Sequence, residues 1–357
     1  MRQALEDDWG NPSSLHRLGL EAQLQTDAAR RILADRLACK PGEIYFTGGG
    51  TEANNIALFG AARAGRRRGH RIVTTQIEHP SVLETMAALE EQGFEVIRLR
   101  PGADGRVSPE EIDRAVDAET VLVSIMYVNN ETGAVQPVEA AAAAIRRNKA
   151  PALLHCDCVQ AFGKAPVRPA ALGADLISVS AHKIHGPKGV GALYISEKAR
   201  VLPLLYGGGQ EKNIRPGTEP TPAIAGFLGA MEELPDPTVQ LERTVALRDY
   251  TRDRLLATGQ VVINSPEQGL AYILNFSVPG LRSEILLHFL ERENIFVSSG
   301  SACAKGKGSY VLRAQGLSDR LVDSAIRVSF SRYNDRSDAD RLAAAVADAA
   351  ARLRRVR

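Results

Sequence analysis

The chain has 357 residues, 44 Lys and Arg against 42 Asp and Glu, and a formal net charge of +2. At roughly 150 residues per domain this is about two domains. The 44% hydrophobic and 24% charged shares exclude wholesale disorder, collagen-like repetition and a strongly basic nucleic-acid binder. Four cysteines (Cys39, Cys156, Cys158, Cys303) are too few for a disulfide scaffold in a chain this long. No apolar run is long enough to cross a bilayer, and the acidic first ten residues do not read as a signal peptide. The expectation is a cytoplasmic, reducing setting with no membrane and no direct nucleic-acid partner.

Elements alternate along the first two thirds. Ala29, Leu33 and Leu37, with Ile32 on the flank, predict a helix. Strands follow at Ile44–Thr47, Arg71–Thr75 and Glu95–Leu99. The basic cluster Arg63, Arg66, Arg67, Arg68 and Arg71 reads as a solvated helix end. Ser108-Pro109-Glu110-Glu111 opens a helix as a capping box. A strand is expected at 121–128, an Ala-rich helix from Pro137 to Arg147, and strands at 152–157, Leu176–Ser180 and Gly191–Ile195. This alternation predicts an α/β fold, a mainly parallel sheet sandwiched by helices, with ligands beyond the carboxyl ends of the strands. Leu234-Pro235-Asp236-Pro237 interrupts the pattern. The expected division is a large domain over 1–236 and a smaller α+β domain over 237–357. The latter has a helix at 238–256, strands at 261–264 and 272–277, and a closing helix entered at Ser337.

Three strand ends carry chemistry. Phe46-Thr47-Gly48-Gly49-Gly50-Thr51-Glu52 follows a strand and opens a helix, where free N–H groups bind an anion. It lacks a Walker lysine and the G-x-G-x-x-G spacing. Leu154-His155-Cys156-Asp157 ends an apolar strand in a carboxylate that needs a cationic partner or several hydrogen bonds. Alternation puts Cys156 and Cys158 on the face opposite His155, which disfavours a shared metal site. Ser180-Ala181-His182-Lys183 ends a third strand, where desolvation makes a lysine amine nucleophilic. An anion-binding helix start, a strand-end Asp and a strand-end Lys are the partners that pyridoxal 5′-phosphate requires. Taken singly, each has a plainer reading: Thr51 a helix cap, His79 a turn residue, Asn129 a strand-end cap, Gln160 and Thr218 loop residues, Arg327 a structural ion pair.

The ordered set is more specific. Thr51-Glu52-Ala53-Asn54-Asn55, Glu78-His79, Val128-Asn129-Asn130-Glu131, Asp157 with Gln160, Ser180-Ala181-His182-Lys183, Arg215-Pro216-Gly217-Thr218, Ser298-Ser299-Gly300-Ser301-Ala302-Cys303 and Ile326-Arg327-Val328-Ser329 resemble the cysteine desulfurases. These are fold-type I pyridoxal-phosphate enzymes of the class V aminotransferase group, and the Ser298-to-Cys303 stretch resembles their sulfur-accepting loop in the version used for iron–sulfur-cluster assembly. The resemblance implies that Lys183 carries the cofactor and moves the Cα proton, and that Asp157 keeps the pyridine nitrogen protonated. It implies that Gln160 contacts the ring hydroxyl and that His79 stacks on the ring and assists proton transfer. Thr51, Ser180 and His182 would hold the phosphate, with Thr218 reaching the phosphate of a partner subunit in a homodimer. Asn129 would lie near the substrate and Arg327 would pair with its carboxylate. Cys303 would be the nucleophile, its thiolate favoured by Lys305 and Lys307.

The implied activity converts L-cysteine to L-alanine and leaves a persulfide on Cys303. The sulfur is destined for an acceptor protein, a scaffold or a thiolation enzyme, in iron–sulfur-cluster assembly or tRNA thiolation. A selenocysteine lyase, another class V aminotransferase and an N-terminally truncated, inactive remnant are the alternatives. The last arises because the family's Asn-Ala-Ala-Thr-Thr turn normally lies upstream of Gly10-Asn11-Pro12, where only nine residues precede Gly10. Part of the substrate site and one element of the small domain are therefore expected to be missing.

Overall fold

The computed structural model describes residues 1–299 and 308–353. The chain divides into two compact units. The first comprises residues 1–99, 109–127 and 137–235. The second comprises 236–357 together with two earlier stretches, 100–108 and 128–136.

In the first unit the chain order is α1 (Arg2–Glu6), α2 (Arg17–Leu37), β1 (Ile44–Thr47), α3 (Gly50–Gly65), β2 (Arg71–Thr75), α4 (Pro80–Glu91) and β3 (Glu95–Leu99). It continues with α5 (Pro109–Ala115), β4 (Thr120–Ser124), α6 (Val138–Arg147), β5 (Leu153–Asp157), α7 (Pro169–Leu172), β6 (Leu176–Ser180), β7 (Gly191–Ile195) and α8 (Thr221–Glu232). The sheet order is β1-β7-β6-β5-β4-β2-β3. Pairings from β3 through β6 are parallel, whereas β7 runs antiparallel to both β6 and β1. Parallel neighbours need a helical crossover, but β6 and β7 are joined by the short 181–190 segment, so β7 runs back. β4 and β6 are buried at every residue, as strands covered on both faces are. The core holds Ile56, Leu58, Ile72, Met86, Leu89, Leu122 and Leu193.

Two expectations need correcting here. The strand expected at 121–128 ends at Ser124, because the next N–H on the β2 side, that of Met126, is taken by the Glu78 carboxylate. The basic cluster is only partly solvated. Arg63 lies over the Phe59 ring and Arg66 over Phe94, while Arg71 pairs with Glu95 and Asp117.

In the second unit α9 (Pro237–Leu256), β8 (Val262–Ile263), β9 (Ile273–Ser277), α10 (Ser283–Arg292), β10 (Ser298–Ser299), α11 (Tyr310–Ala314), α12 (Asp319–Asp323), β11 (Ala325–Ser329) and α13 (Arg336–Arg352) follow in order. The strands form an antiparallel sheet, β10-β11-β9-β8. Leu274, Phe276, Leu286, Leu290, Ile326 and Val346 fill its core. α13 is entered at Asp335, not Ser337: the Asp335 carboxylate accepts from the N–H groups of Ser337 and Asp338, an anion against the positive end of the helix.

Candidate active site

The start of α3 is built by close backbone approach. Gly49 has φ +139°, which only glycine adopts without strain. A Cβ on Gly50 would lie 2.7 Å from Val159 Cγ2, and one on Gly191 would lie 2.8 Å from Gly49 Cα. Glycine at these positions seats the helix start against the carboxyl ends of β5 and β6. A Cβ on Gly49 would stand 3.8 Å from Ser180 Oγ, and Ser180 Oγ is 2.8 Å from His182 Nδ1. The N-terminal N–H groups of α3, one hydroxyl and one imidazole therefore meet as an anion cradle. Thr51 is the second residue of α3, exposed, and the cap is Gly49 rather than Thr51. Glu52 accepts from the Gly48 N–H and pairs with Arg215 at 3.1 Å, which ties the Arg215-Pro216-Gly217-Thr218 segment to this helix. Thr218 itself is exposed.

Asp157, the last residue of β5, is only 6% exposed. Its Oδ1 accepts from the Val159 N–H at 2.9 Å and its Oδ2 from Asn54 Nδ2 at 2.8 Å. Burial pushes its pKa up; the Val159 and Asn54 hydrogen bonds and the nearby His79 and Lys183 charges pull the other way. Asn54 Nδ2 also reaches Ser81 Oγ at 2.8 Å, and Ser81 Oγ is 2.8 Å from His79 Nδ1. His79 caps α4, its Nδ1 accepting from the Ser81 N–H at 3.2 Å. Burial lowers its pKa, Asp157 raises it and Lys183 lowers it further, so the imidazole is neutral near pH 7. Thr51, His79 and Ser81 line a groove of about 570 Å³ between α3 and α4.

Lys183 is half-buried in the turn after β6 and acts electrostatically on Asp157, His79 and His182. Burial, then Lys183 and other cations, lower the His182 pKa. Gln160 lies three residues beyond Asp157, its Oε1 receiving Lys164 Nζ at 3.4 Å. The first unit thus gathers Thr51, His79, Asp157, Ser180, His182 and Lys183 along one carboxyl edge.

Asn129 and Arg327 belong to the second unit. Asn129 is fully buried, and its side-chain oxygen accepts from the Glu131 N–H, the Thr132 N–H and the Thr132 hydroxyl. It holds a tight turn, the cap-like reading of this residue. Arg327 donates to the Asn130 carbonyl at 2.8 Å and to Ser298 Oγ at 3.2 Å. Buried Glu131 accepts from Ser309 Oγ; burial raises its pKa to about 7 against the opposing effects of Ser309 and Arg327. Cys303 lies outside the described residues.

The motif reading quoted Asn54 without assigning it work, and passed over Ser81. Both were findable: Asn54 is a lone amide on the otherwise apolar face of α3 that buries Ala53, Ala57, Leu58 and Ala61. His155 was weighed in the sequence only against a metal site, and its structural role was not foreseen. It is completely buried, spans Ser124 Oγ at 2.9 Å and Ser178 Oγ at 3.0 Å, and its pKa is lowered to about 3 by burial. A neutral imidazole therefore cross-links β4, β5 and β6 just behind Asp157. Cys156 and Cys158 are buried with their Sγ atoms 3.5 Å apart.

The sequence profile of the family "Aminotransferase class-V" matches residues 1–342. The chain is 39% identical to the "Cysteine desulfurase IscS" of Methanosarcina thermophila, over 98% of this chain and 87% of that protein. It is 42% identical to the protein of the same name from Aeromonas hydrophila subsp. hydrophila, over 99% and 89%. Among solved structures it is similar to a "NifS-like protein" with a TM-score of 0.92 at 37% identity, covering 99% of this chain and 94% of that one. It is also similar to one described as "SspA in complex with cysteine", TM-score 0.82 at 33% identity, covering 94% of each. No helix among the described residues is long and apolar enough to cross a membrane.

Proposed function

The chain belongs to the class-V aminotransferase family, and we propose that it is an L-cysteine desulfurase working with pyridoxal 5′-phosphate. The observation that carries this reading is Asp157. Its buried carboxylate has two neutral hydrogen-bond donors, and an ionised group in that setting calls for a cation. A protonated pyridine nitrogen fits that need. The cradle of the α3 start, Ser180 and His182 fits a phosphate, Lys183 offers the amine that would hold the aldehyde carbon, and His79 offers a ring face. Thr51, Gln160 and, from a partner subunit in a homodimer, Thr218 complete the proposed set. When bound, the cofactor supplies an electron sink that acidifies the Cα–H of an amino acid.

The chain's own residues do the rest. Asp157 stabilises positive charge and is kept in place by Asn54 and the Val159 N–H. Lys183 accepts and returns the Cα proton, a task for the neutral amine, the form that desolvation favours over the ammonium. Asn129 and Arg327 are the proposed substrate contacts, the guanidinium facing the carboxylate of L-cysteine. The Cys303 thiolate attacks the substrate sulfur: an S–S bond forms, the Cβ–S bond breaks, and the carbon skeleton gains the protons that make L-alanine. The domain division at 236/237, a cytoplasmic setting and delivery to an acceptor protein of iron–sulfur-cluster assembly or tRNA thiolation belong to the same proposal.

Alkylation and mass mapping after incubation with L-cysteine test it. The persulfide is expected on Cys303, and Cys303→Ser should bind cysteine, seen as a change in the visible spectrum, while losing alanine and sulfide production. A persulfide on Cys156 or Cys158, or full turnover by Cys303→Ser, would overturn the mechanism.

A further inference from the structure

Four side chains of the first unit form an unbroken hydrogen-bonded line: His79 Nδ1 to Ser81 Oγ, Ser81 Oγ to Asn54 Nδ2, and Asn54 Nδ2 to Asp157 Oδ2, each 2.8 Å. We propose that Ser81 and Asn54 are positioning residues that lock His79 in the tautomer with its proton on Nε2, and that the negative charge of Asp157 sets the direction of the whole line. The proposal rests on the reading above, in which His79 faces the cofactor.

The direction follows from counting hydrogens. An ionised carboxylate only accepts, so Asn54 must turn its NH₂ towards Asp157; the opposite flip would put oxygen against oxygen. That NH₂ has two hydrogens, one for Asp157 Oδ2 and one for Ser81 Oγ. Ser81 Oγ has then accepted, and its single hydrogen points to His79 Nδ1. The main-chain N–H of Ser81 converges on the same nitrogen. An Nδ1 that receives two donors cannot bear a proton, and a neutral ring then carries its proton on Nε2.

Two features agree with a line fixed from the Asp157 end. Asn54 is 1% exposed, and its Oδ1 has no hydrogen-bond partner among the described residues. The amide is therefore held by its nitrogen alone. Ser81 is buried, with its carbonyl engaged by the Thr85 hydroxyl, so α4 fixes where the serine oxygen stands. The functional consequence is a division of labour. His79 can give a hydrogen bond from Nε2, and the task of taking the Cα proton falls to Lys183.

The test uses holoenzyme labelled with ¹⁵N-histidine, with His79 assigned by the signals absent from His79→Gln. Imidazole ¹⁵N shifts near neutral pH should show protonated Nε2 and bare Nδ1. Ser81→Ala should give a mixture of the two tautomers and lower kcat about tenfold, the order expected for one lost hydrogen bond, with the KM for L-cysteine within about twofold. Ser81→Thr keeps the hydroxyl and should restore the single tautomer. A proton on Nδ1 of the unsubstituted enzyme, or an unchanged tautomer in Ser81→Ala, would overturn the proposal. Protein that shows the Nε2 tautomer lock, lost in Ser81→Ala, yet is inert towards L-cysteine would support the lock and refute the function.

Discussion

Asp157 and Glu131 are both carboxylates inside protein, but their surroundings differ in kind. In the second unit Glu131 is buried next to a guanidinium, Arg327, and takes the hydroxyl of Ser309. In the first unit Asp157 is held by an amide and a main-chain N–H, with the Lys183 amine acting on it electrostatically. Glu131 has a counter-charge of the chain's own beside it, although burial still outweighs it. A buried acid fixed by neutral donors is oriented but less compensated, and on the proposed reading a ligand at the strand end supplies the further positive charge. Buried charge thus separates scaffold from site more sharply than burial alone.

The largest effect should come from breaking the scaffold around Asp157. His155→Ala removes a fully buried ring and leaves Ser124 and Ser178 without their shared partner. The expected loss of stability is about 2–5 kcal/mol, read from urea unfolding. A change below about 0.5 kcal/mol would mean that β4, β5 and β6 do not depend on this cross-link.

A smaller effect tests Glu131. Glu131 has its pKa raised from 4.5 to about 7, so the folded state binds the proton more tightly than the unfolded one. Its contribution to stability is fully present below about pH 4.5 and is lost as pH rises through about 7, with a ceiling of about 3 kcal/mol. Glu131→Gln should abolish that loss. Glu78, raised to about 8, works in the same direction. His155, lowered to about 3, works oppositely, losing stability as pH falls below about 6.5. The reading is therefore the difference between unsubstituted protein and variant at pH 5 and pH 7.5. An identical pH dependence in both would contradict the assignment.

Much of this was legible in the sequence, for identifiable reasons. Apolar runs bounded by Gly, Pro and Asp placed β5 and β6, and with them Asp157 and Lys183, because a strand end is a local feature. The glycine run before α3 announced a close backbone approach, and the turn was found where expected, although the cap moved from Thr51 to Gly49. The line from His79 to Asp157 was not legible, because it joins residues 54, 81 and 157 through packing of α3 and α4 over the sheet. The early end of β4 was missed for a similar reason: a carboxylate 48 residues away takes the Met126 N–H. The reversal of β7 turned on the length of one connection, which apolar patterning does not weigh.

The central claim is that Asp157 awaits a positive ligand atom, and the ring nitrogen of bound pyridoxal phosphate reports on it directly. With ¹⁵N in that ring, the enzyme near neutral pH should show a protonated nitrogen. Asp157→Asn should show an unprotonated one, and should bind the cofactor more weakly by about 2 kcal/mol or more, roughly thirtyfold. An unprotonated nitrogen in the unsubstituted enzyme, or a protonated one that survives in Asp157→Asn at unchanged affinity, would contradict the account.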